Sequence, residues 1–117
     1  MDYKINEKTL LRLFDLLMKS NYGNIETYKK EDAGDDYIFF ISELPIKTHN
    51  PEIEDNKYVP FQKNTYGTLF IEDEGFKDNL QSYFDFLSGE EFIKLMKKYF
   101  KDKFDITIRV IRQYEWI

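Results

Sequence analysis

The feature that most constrains the fold is a continuous apolar run at residues 37–42, with the sequence Tyr-Ile-Phe-Phe-Ile-Ser. The run is short for a helix, and its aromatic content favours a β-strand. Because apolar side chains occupy successive positions, both faces of this strand need to be covered. The run therefore predicts a strand in the interior of a sheet.

A hairpin is predicted around this run. Residues 25–30 form a second candidate strand, and an acidic turn at residues 31–36 separates the two. Gly34 lies in the turn, where glycine adopts a positive φ without steric cost. Two more strands are predicted at residues 66–72 and at residues 104–110, where apolar and polar side chains alternate.

The N-terminal segment predicts a helix over residues 6–20, with Asn6 as N-cap and Gly23 just past the end. Its apolar arc is wider than the stripe of an ordinary surface helix. This helix is therefore either buried on two sides or presents one side to a partner. The residues of the arc are Leu10, Leu11, Leu13, Phe14, Leu16, Leu17 and Met18.

Two further helices are predicted in the second half of the chain. Ser88 and Glu91 have the spacing of a capping box, so a helix is expected to begin just after Ser88. A preceding helix is indicated by apolar residues at helical spacing. These are Phe76, Leu80, Tyr83, Phe84 and Leu87, and those of the later helix are Phe92, Leu95, Met96 and Tyr99.

The stretch at about 44–65 predicts a long irregular loop, because it contains Pro45, Pro51 and Pro60. A proline removes a backbone donor and disfavours a regular strand, so residues 57–61 are expected to form at most a short edge strand. Structureless loops of about 20 residues are uncommon in compact domains and are often functional.

The elements predict one α+β domain over residues 1–117, with the order α-β-β-(β)-β-α-α-β. We expect a two-layer domain, with a mostly antiparallel sheet of about four or five strands carrying three helices on one face. The predicted core residues are Phe39, Ile41, Leu80, Phe84, Leu95 and Ile108.

Charge and composition narrow the function classes. The net charge is −5, with −7 on residues 1–88 and +2 on residues 89–117. An acidic chain disfavours nonspecific binding to nucleic acid and allows binding to a basic protein surface. The chain has no cysteine, so disulfides and thiolate chemistry are excluded. No apolar run approaches a membrane span, and no signal peptide is recognisable, so we expect a cytoplasmic protein.

No residue pattern predicts catalysis, a cofactor or a metal. His49 is the single histidine and lies in a polar loop, and no serine-elbow motif occurs. The acidic groups at residues 52–55 and 72–74 lack the spacing of a calcium loop. Lysines at positions 94, 97, 98 and 101 form a helical stripe that is typical of a solvated face, with phosphate contact as the alternative.

The C-terminus is the predicted partner-binding surface. The alternation that begins at Phe104 continues through Arg112, Tyr114 and Trp116, which are residue types that often carry interface energy. The alternative is that Trp116 closes the core. Tyr58 and Phe61, which flank the proline-rich loop, are a second set of candidate anchors.

These features together predict a small acidic, non-enzymatic protein-binding domain. The composition, with eleven Phe and nine Tyr but one alanine, is typical of an AT-rich coding source such as a low-GC bacterium or its phage. A phage- or mobile-element-encoded inhibitor or immunity-type protein fits this description. The alternatives are a structural subunit of a larger assembly, such as a virion or tail component, and a nucleic-acid-binding accessory protein.

Overall fold

The computed structural model describes residues 6–47 and 57–113. The strands are β1 (Ile25–Asp32), β2 (Asp35–Ser42), β3 (Tyr58–Lys63), β4 (Thr68–Ile71) and β5 (Val110–Gln113). The helices are α1 (Glu7–Tyr22), α2 (Phe76–Asn79) and α3 (Gly89–Phe104), with a 3-10 turn at Gln81–Phe84 between the last two. This order confirms the predicted α+β fold.

The strands form one sheet in the order β1-β2-β3-β4-β5. The first four strands are antiparallel neighbours, whereas β5 runs parallel to β4 after the chain has crossed through α2 and α3. Strand β2 therefore has a neighbour on each side, as its apolar sequence predicted. Buried residues of the helices pack with Phe40, Phe61, Leu69 and Ile71 of the sheet, so the helices lie on one face.

The β1–β2 hairpin has a two-residue turn. Ala33 and Gly34 both have positive φ values, 53° and 86°, and they follow the closing pair Asp32 and Asp35. Two successive positive φ angles define a type I′ turn, whose twist matches that of the flanking strands. Glycine supplies the second angle without strain, which explains why this turn forms where the sequence predicted it.

Helix α1 has the predicted caps and continues to Tyr22, two residues beyond the predicted range. The side chain of Asn6 accepts a hydrogen bond from the backbone N–H of Lys8 at 2.7 Å, and Gly23 is the C-cap. Phe14, Met18 and Tyr22 are buried. Most of the wide apolar arc packs at least partly against the core, but Leu16 remains 65% exposed.

The capping box of α3 is present as predicted. The Ser88 hydroxyl accepts from the Glu91 backbone N–H at 3.2 Å, and the Glu91 carboxylate accepts from the Ser88 backbone N–H at 2.9 Å. The backbone hydrogen bond from Ser88 lowers the pKa of Glu91, because it favours the charged carboxylate. The preceding helix is shorter than predicted, since α2 has four residues and gives way to the 3-10 turn.

The last strand begins later than predicted. Helix α3 continues through Phe104, and Asp105 then adopts a left-handed conformation with φ 56° that ends it. Ile106 and Ile108 pack against the core from a segment without regular structure, and β5 starts only at Val110. The alternation at residues 104–110 therefore arose from a helix end followed by an extended connection, not from one strand.

Strand β3 lies between β2 and β4, which corrects the predicted edge strand. Its pairing moves from Phe40↔Phe61 to Ser42↔Tyr58, so β3 contains one residue more than β2 over this interval. This β-bulge includes Pro60, which is fully buried. A bulge interrupts the ladder and thereby accommodates the missing proline donor. The irregular stretch therefore ends before Tyr58, and its residues 48–56 lie outside the described residues.

The core is largely aromatic. Ring centroids of Phe14 and Tyr99 lie 4.8 Å apart, and those of Phe40 and Phe100 lie 5.1 Å apart. The predicted core residues Phe39, Leu80, Phe84, Leu95 and Ile108 are buried, and only Ile41 is half-buried. Within the described ranges, every helix is too short or too polar to cross a membrane.

Candidate functional site

The candidate site is the face of the sheet opposite the helices, called the outer face below. No described helix lies on it, because the buried helix residues pack on the other side. The strand registers align one side chain from each strand across this face. We call this set the outer row, and its members in order from β1 to β5 are Tyr28, Phe39, Gln62, Phe70 and Arg112.

Three aromatic rings are stacked at the β1–β2 end of the outer face. The ring of Phe39 stacks with two others. Its centroid lies 6.5 Å from that of Tyr28 and 6.3 Å from that of Tyr37. Phe39 is 6% exposed, whereas Tyr28 is 46% exposed. The Lys57 ammonium lies 6.0 Å from the centroid of the Tyr28 ring, within range of a cation–π interaction. The stack therefore holds Tyr28 at the surface in a defined position.

The centre of the outer row has a fixed polar group. The Gln62 side-chain amide donates to the Glu72 carboxylate at 2.7 Å, and Glu72 is 3% exposed. Glu72 follows β4, where strand alternation places it on the same face as Phe70. A hydrogen bond of this length to a buried side chain orients the Gln62 amide between its aromatic neighbours.

Arg112 is the predicted anchor that the structure places on this face. It is exposed and opposite Phe70, and Val110 beside it is 46% exposed. The predicted single face running from Ile108 to Arg112 is incorrect, because Ile108 is buried in the core while Ile111 is the β5 residue that packs inward. Tyr114 and Trp116 lie outside the described residues.

The two residues of the second predicted set of anchors differ in their exposure. Phe61 is fully buried and contacts the rings of Tyr22, Phe40 and Phe76, so its side chain is a core residue and has no surface to offer. Tyr58 is half-buried and pairs with Ser42 at the start of β3. Phe61 was mistaken for a loop residue because the bulged strand that carries it contains a proline.

The acidic residues 72–74 have structural partners. The Tyr22 hydroxyl donates to Asp73 Oδ2 at 2.7 Å, and the Gly75 N–H donates to Asp73 Oδ1 at 2.9 Å. Burial raises the pKa of Tyr22, and the Asp73 charge raises it further. Among residues 6–47 and 57–113, no group of three acidic or histidine side chains could hold a metal ion. His49 and the acids at 52–55 fall outside these ranges.

The lysines of α3 are partly neutralised by acids. Lys98 lies 3.6 Å from Glu7 and 3.6 Å from Asp102, and Lys101 lies 2.8 Å from Asp105. All three acids are themselves exposed, so these pairs reduce the local positive potential without building a pocket. The stripe is therefore a weaker phosphate-binding surface than its sequence indicated.

A cleft of about 300 Å³ lies beside β1, between the ends of α1 and α3. We call it the β1 cleft; Lys19 and Lys103 line it and lie 3.1 Å and 3.6 Å from Asp15. Tyr99 donates to Asp15 at 3.1 Å. Burial raises the pKa of Asp15, but the hydrogen bonds from Lys19 and Tyr99 and the lysine charges outweigh it and lower the pKa overall.

Comparisons of the chain with protein-family models, with curated proteins and with solved structures found no match. The outer face therefore has to be interpreted from its own chemistry. Sequence reasoning missed Tyr28, Tyr37, Gln62 and Phe70 as site residues. The available signal was the position of Phe70 between the core residues Leu69 and Ile71 and of Gln62 next to Phe61. The alignment of the whole row depends on strand register, which the sequence does not display.

Proposed function

We propose that the protein is a non-enzymatic protein-binding domain that contacts its partner through the outer face of the sheet. The observation that supports this proposal is the outer row, which crosses all five strands on the face that no described helix covers. Tyrosine and arginine are enriched among residues that dominate binding energy. The row has Tyr28 at one end and Arg112 at the other.

Preorganisation supports the same function. Phe39 holds Tyr28 by ring stacking, and Glu72 holds Gln62 by a hydrogen bond. Side chains that are already fixed lose less conformational entropy when a partner docks. The sheet beneath them is also rigid, because its inner face is closed by the aromatic core.

An inhibitor or immunity-type protein, encoded by a phage or mobile element, is the form of this function that we favour. The net charge is −5, and the segment containing β1 to β4 belongs to the acidic part of the chain. A negative net charge steers the chain toward a basic partner and discourages nucleic acid. A toxin or an enzyme with a basic active-site rim has the required chemistry.

The test begins with crosslinking and co-purification of the partner from the native host. Phe70→Ala and Arg112→Ala are then compared with the wild type for affinity and melting temperature. Loss of a hot-spot residue costs at least ~2 kcal/mol, or about 30-fold in affinity. We expect that loss for Arg112→Ala with an unchanged melting temperature.

Tyr83→Ala is the matched control, because Tyr83 is an aromatic residue that is 59% exposed on the helix side. Equal loss of affinity in Tyr83→Ala and Arg112→Ala would reject the outer face as the binding site. Tyr114→Ala and Trp116→Ala belong in the same series, since both follow Arg112 along the chain.

A structural subunit of a larger assembly is the second candidate. It is favoured by exposed apolar side chains on the helix side, where Leu16, Tyr83 and Phe86 are 65%, 59% and 55% exposed. Two contact surfaces on opposite sides of a protein can hold two different neighbours. Light scattering tests this role: a subunit forms assemblies larger than a dimer, which grow with concentration and which Leu16→Asp abolishes, whereas an inhibitor does not.

A nucleic-acid-binding accessory protein is the third candidate and depends on the α3 lysines. Their pairing with Glu7, Asp102 and Asp105 reduces the charge they can offer to phosphates. A gel shift that weakens steeply with salt would favour this role over protein binding.

A further inference from the structure

Strand β1 is the first strand of the sheet, so one of its edges has no strand neighbour among the described residues. Residues 26–31 of β1 are all exposed. An unprotected strand edge presents a row of backbone donors and acceptors that another strand can pair with. The backbone pattern and the charges along β1 determine which strand can pair with this edge.

The hairpin determines which backbone groups point outward. In a two-residue turn the carbonyl of Asp32 faces the N–H of Asp35, so these two residues form a hydrogen-bonded pair. Hydrogen-bonded pairs alternate along an antiparallel ladder. Tyr28 and Lys30 therefore direct their backbone groups toward β2, whereas Thr27 and Lys29 direct theirs to the free edge.

We propose that the free edge of β1 binds β1 of a second copy of the chain, antiparallel and centred on Tyr28. In this register Thr27 of each copy exchanges backbone hydrogen bonds with Lys29 of the other, which uses the outward-facing groups. The two Tyr28 residues face each other across the two-fold axis as a non-hydrogen-bonded pair. Such a pair brings the Cα atoms to about 4.5 Å and the side chains close together.

Charge complementarity on the outer face favours this register. It places Glu26 of each copy opposite Lys30 of the other, so two opposite-charge pairs form across the interface. Both side chains are exposed and lie on the same face as Tyr28. Centring the pairing on either neighbouring residue, Thr27 or Lys29, would form no opposite-charge pair between the two strands.

The resulting dimer has a continuous ten-stranded sheet, and the two outer rows join through the facing Tyr28 residues. Each copy would then present its outer face to the same side. This proposal does not depend on the proposed function, because the dimer forms from the purified protein without any other partner.

The first experiment is a charge exchange followed by sedimentation over a concentration series. Glu26→Lys and Lys30→Glu each convert two attractive pairs into two repulsive pairs, and we expect dimerisation at least ~10-fold weaker. The double variant restores opposite charges and should recover the wild-type affinity. Lys77→Glu is the control for Lys30→Glu, since it changes the net charge equally at an exposed position of α2.

The second experiment tests the register with a disulfide. The chain contains no cysteine, so Tyr28→Cys introduces a single thiol at the proposed two-fold axis. Its Cα–Cα separation suits a disulfide, and mild oxidation should give a covalent dimer at low protein concentration. Lys30→Cys is the control, because positions 30 of the two copies would be about 13 Å apart.

Two outcomes would overturn the proposal. The first is a wild-type protein that remains monomeric throughout the concentration series. The second is a dimer in which Lys30→Cys crosslinks as fast as Tyr28→Cys, because the copies would then meet in another register or through another surface.

Discussion

Strand β2 carries buried aromatic rings on both faces of the sheet, and the two rings are buried by different means. On the inner face, Phe40 is fully buried beneath Phe100 and Phe104 of α3. On the outer face, Phe39 is 6% exposed, but the rings stacked against it come from its own sheet. The inner face is covered by a second layer of structure, whereas the described rings stacked on Phe39 belong to the sheet itself.

Because of this difference, we expect inner-face side chains to contribute mainly to stability and outer-face side chains mainly to partner binding. Side chains under the helix layer are in contact on all sides, so their truncation leaves a cavity. The exposed or half-buried side chains of the outer row, such as Tyr28, Phe70 and Arg112, have one side open, so their truncation removes less contact and changes the surface instead. The same residue type is therefore expected to behave in opposite ways on the two faces.

The largest expected effect compares a phenylalanine from each face. Phe61→Ala should lower the free energy of unfolding by ~3–5 kcal/mol, because Phe61 is fully buried among four rings. Phe70→Ala, on the half-buried outer side of β4, should cost less than ~2 kcal/mol. Urea unfolding measures both values. Similar losses of unfolding free energy in the two variants would show that Phe61 and Phe70 are equally well packed.

The buried hydrogen bond at the edge of the core gives the next effect. Tyr22→Phe removes the donor to Asp73 and leaves a buried carboxylate oxygen without it, which should cost ~1–3 kcal/mol. Tyr66→Phe removes a hydroxyl from a side chain that is 70% exposed and should cost almost nothing. A neutral Tyr22→Phe would mean that water replaces the lost donor.

The helix layer itself depends on the capping box of α3. Ser88→Ala removes one of the two reciprocal bonds and should lower the free energy of unfolding by ~1 kcal/mol. Because α3 covers only the inner face, partner binding through the outer face should be unaffected after correction for the unfolded fraction. Ser82→Ala is the comparison at another exposed serine, whose hydroxyl donates to the Asp78 carbonyl at 2.6 Å and does not cap α3. An equal loss of stability in Ser82→Ala would show that the capping box contributes no more than an ordinary serine hydrogen bond.

The smallest effect should depend on pH. The lowered pKa of Asp15 means that its charge stabilises the folded state above the ordinary carboxyl pKa, and this contribution disappears as the pH falls through the folded-state pKa. Asp15→Asn should therefore cost less than ~1 kcal/mol at neutral pH, and the difference should vanish in acid. Unfolding curves over a pH series test this. The exposed Asp85→Asn controls for the lost charge.

Local signals in the sequence were sufficient for several elements. The capping box at Ser88 and the apolar run in β2 each depend on interactions within a few residues or on simple burial, and both lie where predicted. The β1–β2 hairpin was predictable for the same reason, because Gly34 supplies the conformation that its turn needs.

Other features depend on contacts that are distant along the chain. The position of β5 was missed because Ile106 and Ile108 alternate in an extended segment in the way that strand residues do. Because of Pro60, β3 was predicted as an edge strand. The bulge that accommodates this proline can be recognised only once the pairing of β2 and β3 is known. The outer row was missed for a related reason, since it exists only through the registers of four strand pairs.

The parallel pairing of β5 with β4 also determines when the outer row is complete during folding. The β1–β2 hairpin closes through a two-residue turn, a local event that occurs in microseconds. Strand β5 pairs with β4 across the intervening α2 and α3, so its pairing carries the entropic cost of closing a long loop and is expected to form later than the hairpin. A partly folded chain therefore presents Tyr28 and Phe39 without Arg112. A partner that requires both ends of the outer row would bind the fully folded protein in preference to a partly folded one.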